Sequence, residues 1–227
     1  MRIDMKVGLT GGIGSGKSFV ARLLRDKGFL VFDCDEQAKR LMVQDDTVVR
    51  LITDAVGDDA YFYNVDDGLL NSGGSSAFDD EVLPHSERVL NKKAVAAFLF
   101  KSPDNAAVIN GIVHPRLATV FTEWADRSQA ELVFMESAIL FESGFNALVD
   151  RTVCVVADER LRIQRAADRD NARYDDVVRR VRLQDSQDKI MMRSDFVLYN
   201  NANDNLQEQI DKLIHDLKAE IGSVVSN

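Results

Sequence analysis

A chain of 227 residues can bury a full core, either as one large domain or as a core domain with insertions. Its 45% hydrophobic and 29% charged residues suit a soluble globular protein, and neither a membrane span nor a signal peptide is expected. The formal net charge of −9 argues against broad nucleic-acid binding, so an anionic substrate would have to be held by a local cluster of basic groups. Two cysteines, Cys34 and Cys154, lie in apolar or strand-like settings without metal-ligand spacing. That pattern suits a reducing compartment, with the cytoplasm as the expected location.

Taken in order, Val7 to Thr10 reads as a short buried strand, and Gly11 to Ser18 then fits G-x-x-x-x-G-K-[ST], a phosphate-binding loop. A helix follows, with Val20, Leu23 and Leu24 at helical spacing and Gly28 as its stop. Four glycines, at 11, 12, 14 and 16, let backbone N–H groups converge where a helix N-terminus adds partial positive charge. Such a nest suits a polyphosphate, with Lys17 reaching the β- and γ-phosphates and the Ser18 hydroxyl holding Mg²⁺. A plain glycine-rich turn would not require the Lys-Ser pair at its end.

Phe29 to Phe32 reads as the second strand, followed by Asp33-Cys34-Asp35. The short spacing fits a βαβ unit whose first two strands are parallel neighbours, ending together on the ligand-binding edge. Asp33 with Glu36 has capping-box spacing for a helix over 36–43. Asp35 is left to accept the proton of an attacking hydroxyl, or to orient it. Its bland alternative is a first-turn carboxylate favoured by the helix dipole. A short amphipathic helix is expected over 47–56. The stretch 57–88, rich in Asp, Asn, Gly and Ser, reads as turns and loose surface loop.

Helices are expected over 92–100 and again after Ser102-Pro103, with Pro115 breaking or kinking the latter at His114. Leu132 to Met135 is the third strand, and it ends in Glu136 on the ligand edge, about where an acidic group stands near a metal. A helix over 137–148, a fourth strand over 152–156, a fifth over 196–199 and a closing amphipathic helix from Leu206 complete the pattern. Between the last two strands, 158–189 is a charged helical stretch carrying eight arginines. Arg165 and Arg169 are four apart and share a helix face, so they could close on a transferred phosphoryl group. A salt-bridged surface helix is the competing reading, since acidic residues are interleaved.

The segments 9–18, Asp33-Cys34-Asp35, Ile109 to Pro115, Ile139 to Gly144, Gln164-Arg165 with Arg169-Asp170, and Asp195 to Asn200 together resemble the dephospho-CoA kinase family. They run in family order over nearly the whole chain. The resemblance implies a P-loop NTPase α/β fold: a five-stranded parallel sheet with helices on both faces, a helical substrate-binding insertion and a helical lid. It divides the chain into a nucleotide-binding core (1–35, 131–157 and 191–227), an acceptor-binding insertion (36–130) and a lid (158–190). The implied reaction is ATP-dependent, Mg²⁺-supported phosphorylation of the 3′-hydroxyl of dephospho-CoA. Gly12, Ile13, Gly14, Ser15, Gly16, Lys17, Ser18 and Phe19 would bind the ATP phosphates. Asp35 would be base or orienter, and Arg165 and Arg169 would belong to the lid.

His114 and Glu142 would face the acceptor, although either could instead be structural. Phe19 stands where Thr is usual in the family, which removes a hydroxyl near the α-phosphate. Small-molecule kinases of the nucleoside monophosphate or shikimate type share loop and lid. A guanine-nucleotide switch would need Asn-Lys-x-Asp, and Asn91-Lys92-Lys93-Ala94 fails at its last position. No nucleic-acid, membrane or obligate protein partner is expected.

Overall fold

Short apolar runs separated by helical patterns fold as an α/β protein in the computed structural model, which describes residues 5–65, 68–71, 88–102 and 104–225. In chain order the elements are β1 (Met5–Thr10), α1 (Lys17–Asp26), β2 (Leu30–Asp33), α2 (Cys34–Gln44), α3 (Asp46–Val56), β3 (Tyr61–Val65), β4 (Gly68–Asn71), β5 (Arg88–Leu90), α4 (Lys92–Lys101) and α5 (Asp104–Arg127). There follow β6 (Leu132–Glu136), β7 (Arg151–Val156), α6 (Glu159–Asp170), α7 (Tyr174–Arg182), α8 (Gln187–Met192), β8 (Phe196–Tyr199) and α9 (Leu206–Val225). Two compact units divide the chain: Met1–Cys34 with Phe121–Asn227, and Asp35–Val120.

The first unit is built on a five-stranded sheet in the order β2-β6-β1-β7-β8, with every pairing parallel. Side chains alternate across it as a pleated strand requires. Val7, Leu9, Leu132, Phe134, Val153 and Val155 face a cluster completed by Val20, Ala21 and Leu24 of α1 and by Leu206, Ile210, Leu213 and Leu217 of α9. On the other face Cys154 and Val156 pack with Phe141 and Ile190 of α8, and Phe32 meets the rings of Phe121 and Trp124 at the end of α5, each at 5.3 Å. Helices therefore cover both faces.

β1 and β2 are not the neighbours expected from their short spacing. β6 lies between them, so that Leu9 and Asp33 both pair with Glu136. Burial explains the order: all five residues of β6 are buried, as a central strand demands, whereas β2 exposes Leu30 and suits an edge. The expected helix over 137–148 is likewise replaced, by turns and a 3₁₀ helix at Phe145–Leu148. The Ser143 hydroxyl donates to the Ile139 carbonyl at 2.7 Å, and Gly144 turns into the left-handed region at φ 75°, so a continuous α-helix gives way.

In the second unit Val48, Val49 and Ile52 of α3 pack with Ala60, Tyr61, Ile109 and Val113. The stretch expected to be loose loop contains part of this core. Tyr61–Val65 is the central strand of a three-stranded antiparallel sheet ordered β4-β3-β5, so the insertion is not purely helical. Tyr61 is 1% exposed and its hydroxyl donates to the Met42 carbonyl at 2.7 Å. An aromatic run with strand propensity outweighs the acidic residues around it. The loop expected at 72–87 lies outside the described residues, as do the first four residues and Pro103. α5 runs through Pro115 without the expected break. Buried Val113 and Leu117 anchor the helix on either side, offsetting the lost hydrogen bond.

Asp45 caps α3, accepting from the Val48 N–H at 3.1 Å, and pairs with Arg116 Nε at 2.6 Å. Burial alone would raise its pKa, but the hydrogen bonds from Arg116 and Val48 win and hold the carboxyl below its usual value. Asp45→Ala is therefore expected to cost about 1–2 kcal/mol of stability, read as a lower denaturant midpoint. An unchanged midpoint would show the cap to be immaterial.

Candidate active site

The loop leaving β1 supplies the first part of the site. Gly14 sits at φ 74°, and a Cβ there would run into the backbone carbonyl of Arg162, so only glycine lets the loop turn beneath α6. Gly16 caps α1 in the left-handed region, and the Asn200 amide donates to the Ser15 carbonyl at 2.8 Å. The loop is thus tied to the segment after β8, and its helix begins at Lys17.

Glu136 is the second part. At the tip of β6 and 4% exposed, it accepts from Lys17 Nζ at 2.8 Å and from Ser18 Oγ at 2.7 Å, both on Oε1. Its Oε2 has no hydrogen-bond partner among the described residues, and the Arg25 guanidinium stands 4.0 Å from it. Asp33 pairs beside Glu136 in register, so two carboxylate-bearing strand ends lie side by side. Ser18 Oγ and the open Glu136 oxygen form an all-oxygen donor set. That fits a hard divalent cation completing its shell from phosphate and water. Among the described residues no group of three or more His, Cys, Asp or Glu side chains forms a self-sufficient metal cage.

The third part comes from the arginine stretch. Arg165 Nη1 donates to the Asn200 carbonyl at 3.0 Å, which holds its guanidinium near Gly16. The loop-facing side is also occupied by Arg162, only 5% exposed, whose Nε donates to the Ile13 carbonyl at 3.1 Å. Ile13 itself packs with Ile163, Ala166, Ala167 and Val177.

The dephospho-CoA kinase family profile matches residues 5–74 and 72–205. The chain belongs to the dephospho-CoA kinase family. A dephospho-CoA kinase of Bacteroides fragilis is 37% identical over 92% of this chain and 91% of its own length. One of Chlorobium chlorochromatii is 33% identical over 95% of each. A solved structure from Thermus thermophilus matches with a TM-score of 0.71 and 28% identity, covering 96% of this chain and 98% of that one. The dephospho-CoA kinase of Campylobacter jejuni gives 0.61 at 17% identity over 93% and 96%. A shikimate kinase of Bacteroides thetaiotaomicron gives 0.51 at 12% identity over 94% and 98%, a likeness of fold alone.

Within this family member, residues 12–18 form the loop just described, and Phe19 lies 42% exposed on α1 with Arg22 Cζ 5.0 Å from its ring centroid. Arg169 is not gathered to the loop. It is exposed and paired with Asp170 through Nε at 2.7 Å, and hydrogen bonds from Arg169 and Arg180 hold the Asp170 carboxyl far below its usual range. Asp35 is exposed in the first turn of α2, two residues beyond the end of β2, and Glu142 is exposed on the turn following β6. Arg162, Gln184 and Asn200 are the loop partners that no spacing argument singled out.

His114 is half-buried on α5, and burial pushes its imidazole below the usual 6.5. The unfolded chain then binds more protons between the two values, so this contribution to stability is complete above pH 6.5 and is lost as pH falls through the window. His114→Gln is expected to flatten the fall in denaturation midpoint as pH is lowered below 6.5. An equal slope in wild type and variant would contradict it.

Proposed function

We propose that this chain transfers the γ-phosphoryl group of ATP to the 3′-hydroxyl of dephospho-CoA, releasing ADP and coenzyme A. One observation carries the reading: a family match running from residue 5 to residue 205 on a chain whose phosphate loop is fully formed around Lys17 and Ser18. The nucleotide core is assigned to 1–35, 131–157 and 191–227, the acceptor-binding insertion to 36–130 and the lid to 158–190. The cytoplasm is the assigned compartment, in keeping with two buried, unbridged cysteines.

In the proposed step the 3′-oxygen attacks the γ-phosphorus, the bond to the β–γ bridging oxygen breaks, and the hydroxyl proton passes to Asp35. Residues 12–19 line the phosphates; the Ile13, Ser15 and Phe19 N–H groups are already donated to Gln184 Oε1 and to the Gly12 and Gly16 carbonyls, so phosphate oxygens are met by the other members of the loop. Lys17 moves from Glu136 onto the β- and γ-oxygens, exchanging one anionic partner for another. Mg²⁺, held by Ser18 with Glu136 behind it, would neutralise charge on the β- and γ-phosphates when bound. Arg165 answers charge on the moving group; Arg169 joins it only after leaving Asp170. His114 and Glu142 are assigned to the acceptor side.

A coupled ADP-release assay over dephospho-CoA, AMP, CMP and shikimate tests the assignment. Turnover is expected with dephospho-CoA alone. Comparable turnover with AMP or shikimate would move the chain to another small-molecule kinase activity.

A further inference from the structure

Of the eight arginines between Arg160 and Arg182, only Arg162 is buried. An arginine inside a protein is costly unless an anion answers it. Here the guanidinium meets neutral oxygens: Nε donates to the Ile13 carbonyl at 3.1 Å and Nη1 to Gln187 Oε1 at 3.3 Å. Among the described residues no carboxylate pairs with it directly; Glu159 opposes the effect of burial only at longer range. Its Nη2 lies so close over Gly12 that a Cβ at that position would collide with it.

The same loop residue is gripped from a second side. Gln184 Oε1 accepts from the Ile13 N–H at 2.9 Å, so both polar groups of the Ile13 main chain are held by the stretch that follows β7. Gln187 Oε1 also accepts from the Ala157 N–H at 3.1 Å, at the end of that strand. Arg162 is therefore fastened to the sheet edge and to the loop at once. Arg160 and Arg169 of the same helix are exposed and Arg165 is half-buried, so Arg162 is the cation that the helix buries fully against the loop that must receive a polyphosphate.

We propose that Arg162 is a positioning residue for ATP: with Gln184 it fixes the Gly12–Ile13 segment in its phosphate-ready form, and it places a buried positive charge, hydrogen-bonded to neutral oxygens, beside that segment. The assignment rests on ATP being the phosphoryl donor. Preformed donors bind charge without first being reorganised, so losing this grip weakens nucleotide binding rather than acceptor binding. Arginine is needed because its planar fork makes both hydrogen bonds while its face covers Gly12; lysine supplies the charge alone.

The test compares wild type with Arg162→Gln, Arg162→Lys and Gln184→Ala. Readouts are calorimetric dissociation constants for ATP and ADP, the two KM values, and the unfolding midpoint without nucleotide. Arg162→Gln is expected to weaken ATP and ADP tenfold or more, with KM for dephospho-CoA within twofold of wild type. Arg162→Lys recovers part of that loss, and Gln184→Ala weakens ATP severalfold with every charge retained. A folded Arg162→Gln protein that lowers the midpoint but binds ATP within twofold of wild type would reduce Arg162 to a structural residue and overturn the proposal. A Lys variant no better than Gln would overturn the part assigned to charge. Should Arg162→Gln fail to fold, unchanged ATP affinity in Gln184→Ala overturns the part assigned to the grip. Wild type that binds no ATP would instead refute the donor assignment itself.

Discussion

Asp35→Asn is expected to bind ATP as wild type does and to lose about 10²–10⁴-fold in kcat. The substitution keeps the size and one acceptor oxygen of the side chain, so α2 and its first turn should persist. What disappears is the negative charge that takes up the proton of the attacking hydroxyl. Asp35 is exposed, and the carboxylate that takes Lys17 and Ser18 is that of Glu136 instead. Loss at Asp35 should therefore fall on the chemical step and leave the loop's phosphate contacts intact. KM for ATP within about threefold of wild type, together with the fallen kcat, is the pattern of an interaction made in the transition state. Near wild-type kcat would remove Asp35 from the reaction and leave it a first-turn carboxylate at the start of α2.

Lys17→Met is expected to act twice. Turnover should fall by about 10²–10³-fold or more, since the charge meant for the β- and γ-phosphates is gone. Stability should also fall, because Lys17 and Glu136 form a pair only 11% and 4% exposed at their side chains. Methionine fills the lysine stem but leaves Glu136 with Ser18 and with Arg25 4.0 Å away. Breaking a buried pair from one side costs about 3–5 kcal/mol, mostly for the stranded charge. Adding Glu136→Gln to Lys17→Met removes that charge, so the double variant should regain most of the stability and none of the turnover. Denaturant midpoints and kcat measured on the same three proteins separate the two effects. Equal stability of Lys17→Met and wild type would mean that the pair contributes nothing to the fold.

The part of the site carried by local spacing was legible. Gly11 to Ser18 encodes its own geometry: glycines where the backbone turns left-handed, then Lys17 and Ser18 on the first turn of α1. Glu136 was legible as a strand end, because parallel strands bring their carboxyl ends to one edge. Its grip on Lys17 and Ser18 was not, since it depends on β6 entering between β1 and β2, and strand order is not written in the spacing of either. Arg162 illustrates the same limit more sharply. Within a helix of alternating charges nothing marks one arginine for burial. The choice follows from Ile163, Ala166 and Ala167 packing toward Ile13, which rotates Arg162 onto the loop and leaves Arg169 to Asp170. Gln184 and Asn200 act through single amide groups on connecting segments, and amides in loops carry no periodic signal.

The second unit departed from expectation where composition misled. Tyr61-Phe62-Tyr63 is a three-residue aromatic run beside acidic turns, too short to stand out, yet it becomes the middle of a sheet. Pro115 reads as a helix breaker in isolation, but apolar residues on both sides keep α5 continuous.

Where the phosphate lands is the most direct test of the whole account. Dephospho-CoA incubated with γ-labelled ATP and this protein should yield labelled product from which a 3′-nucleotidase releases all of the label, with one ADP formed per label transferred. Label found at any other position, or ADP formed without labelled coenzyme A, would contradict it.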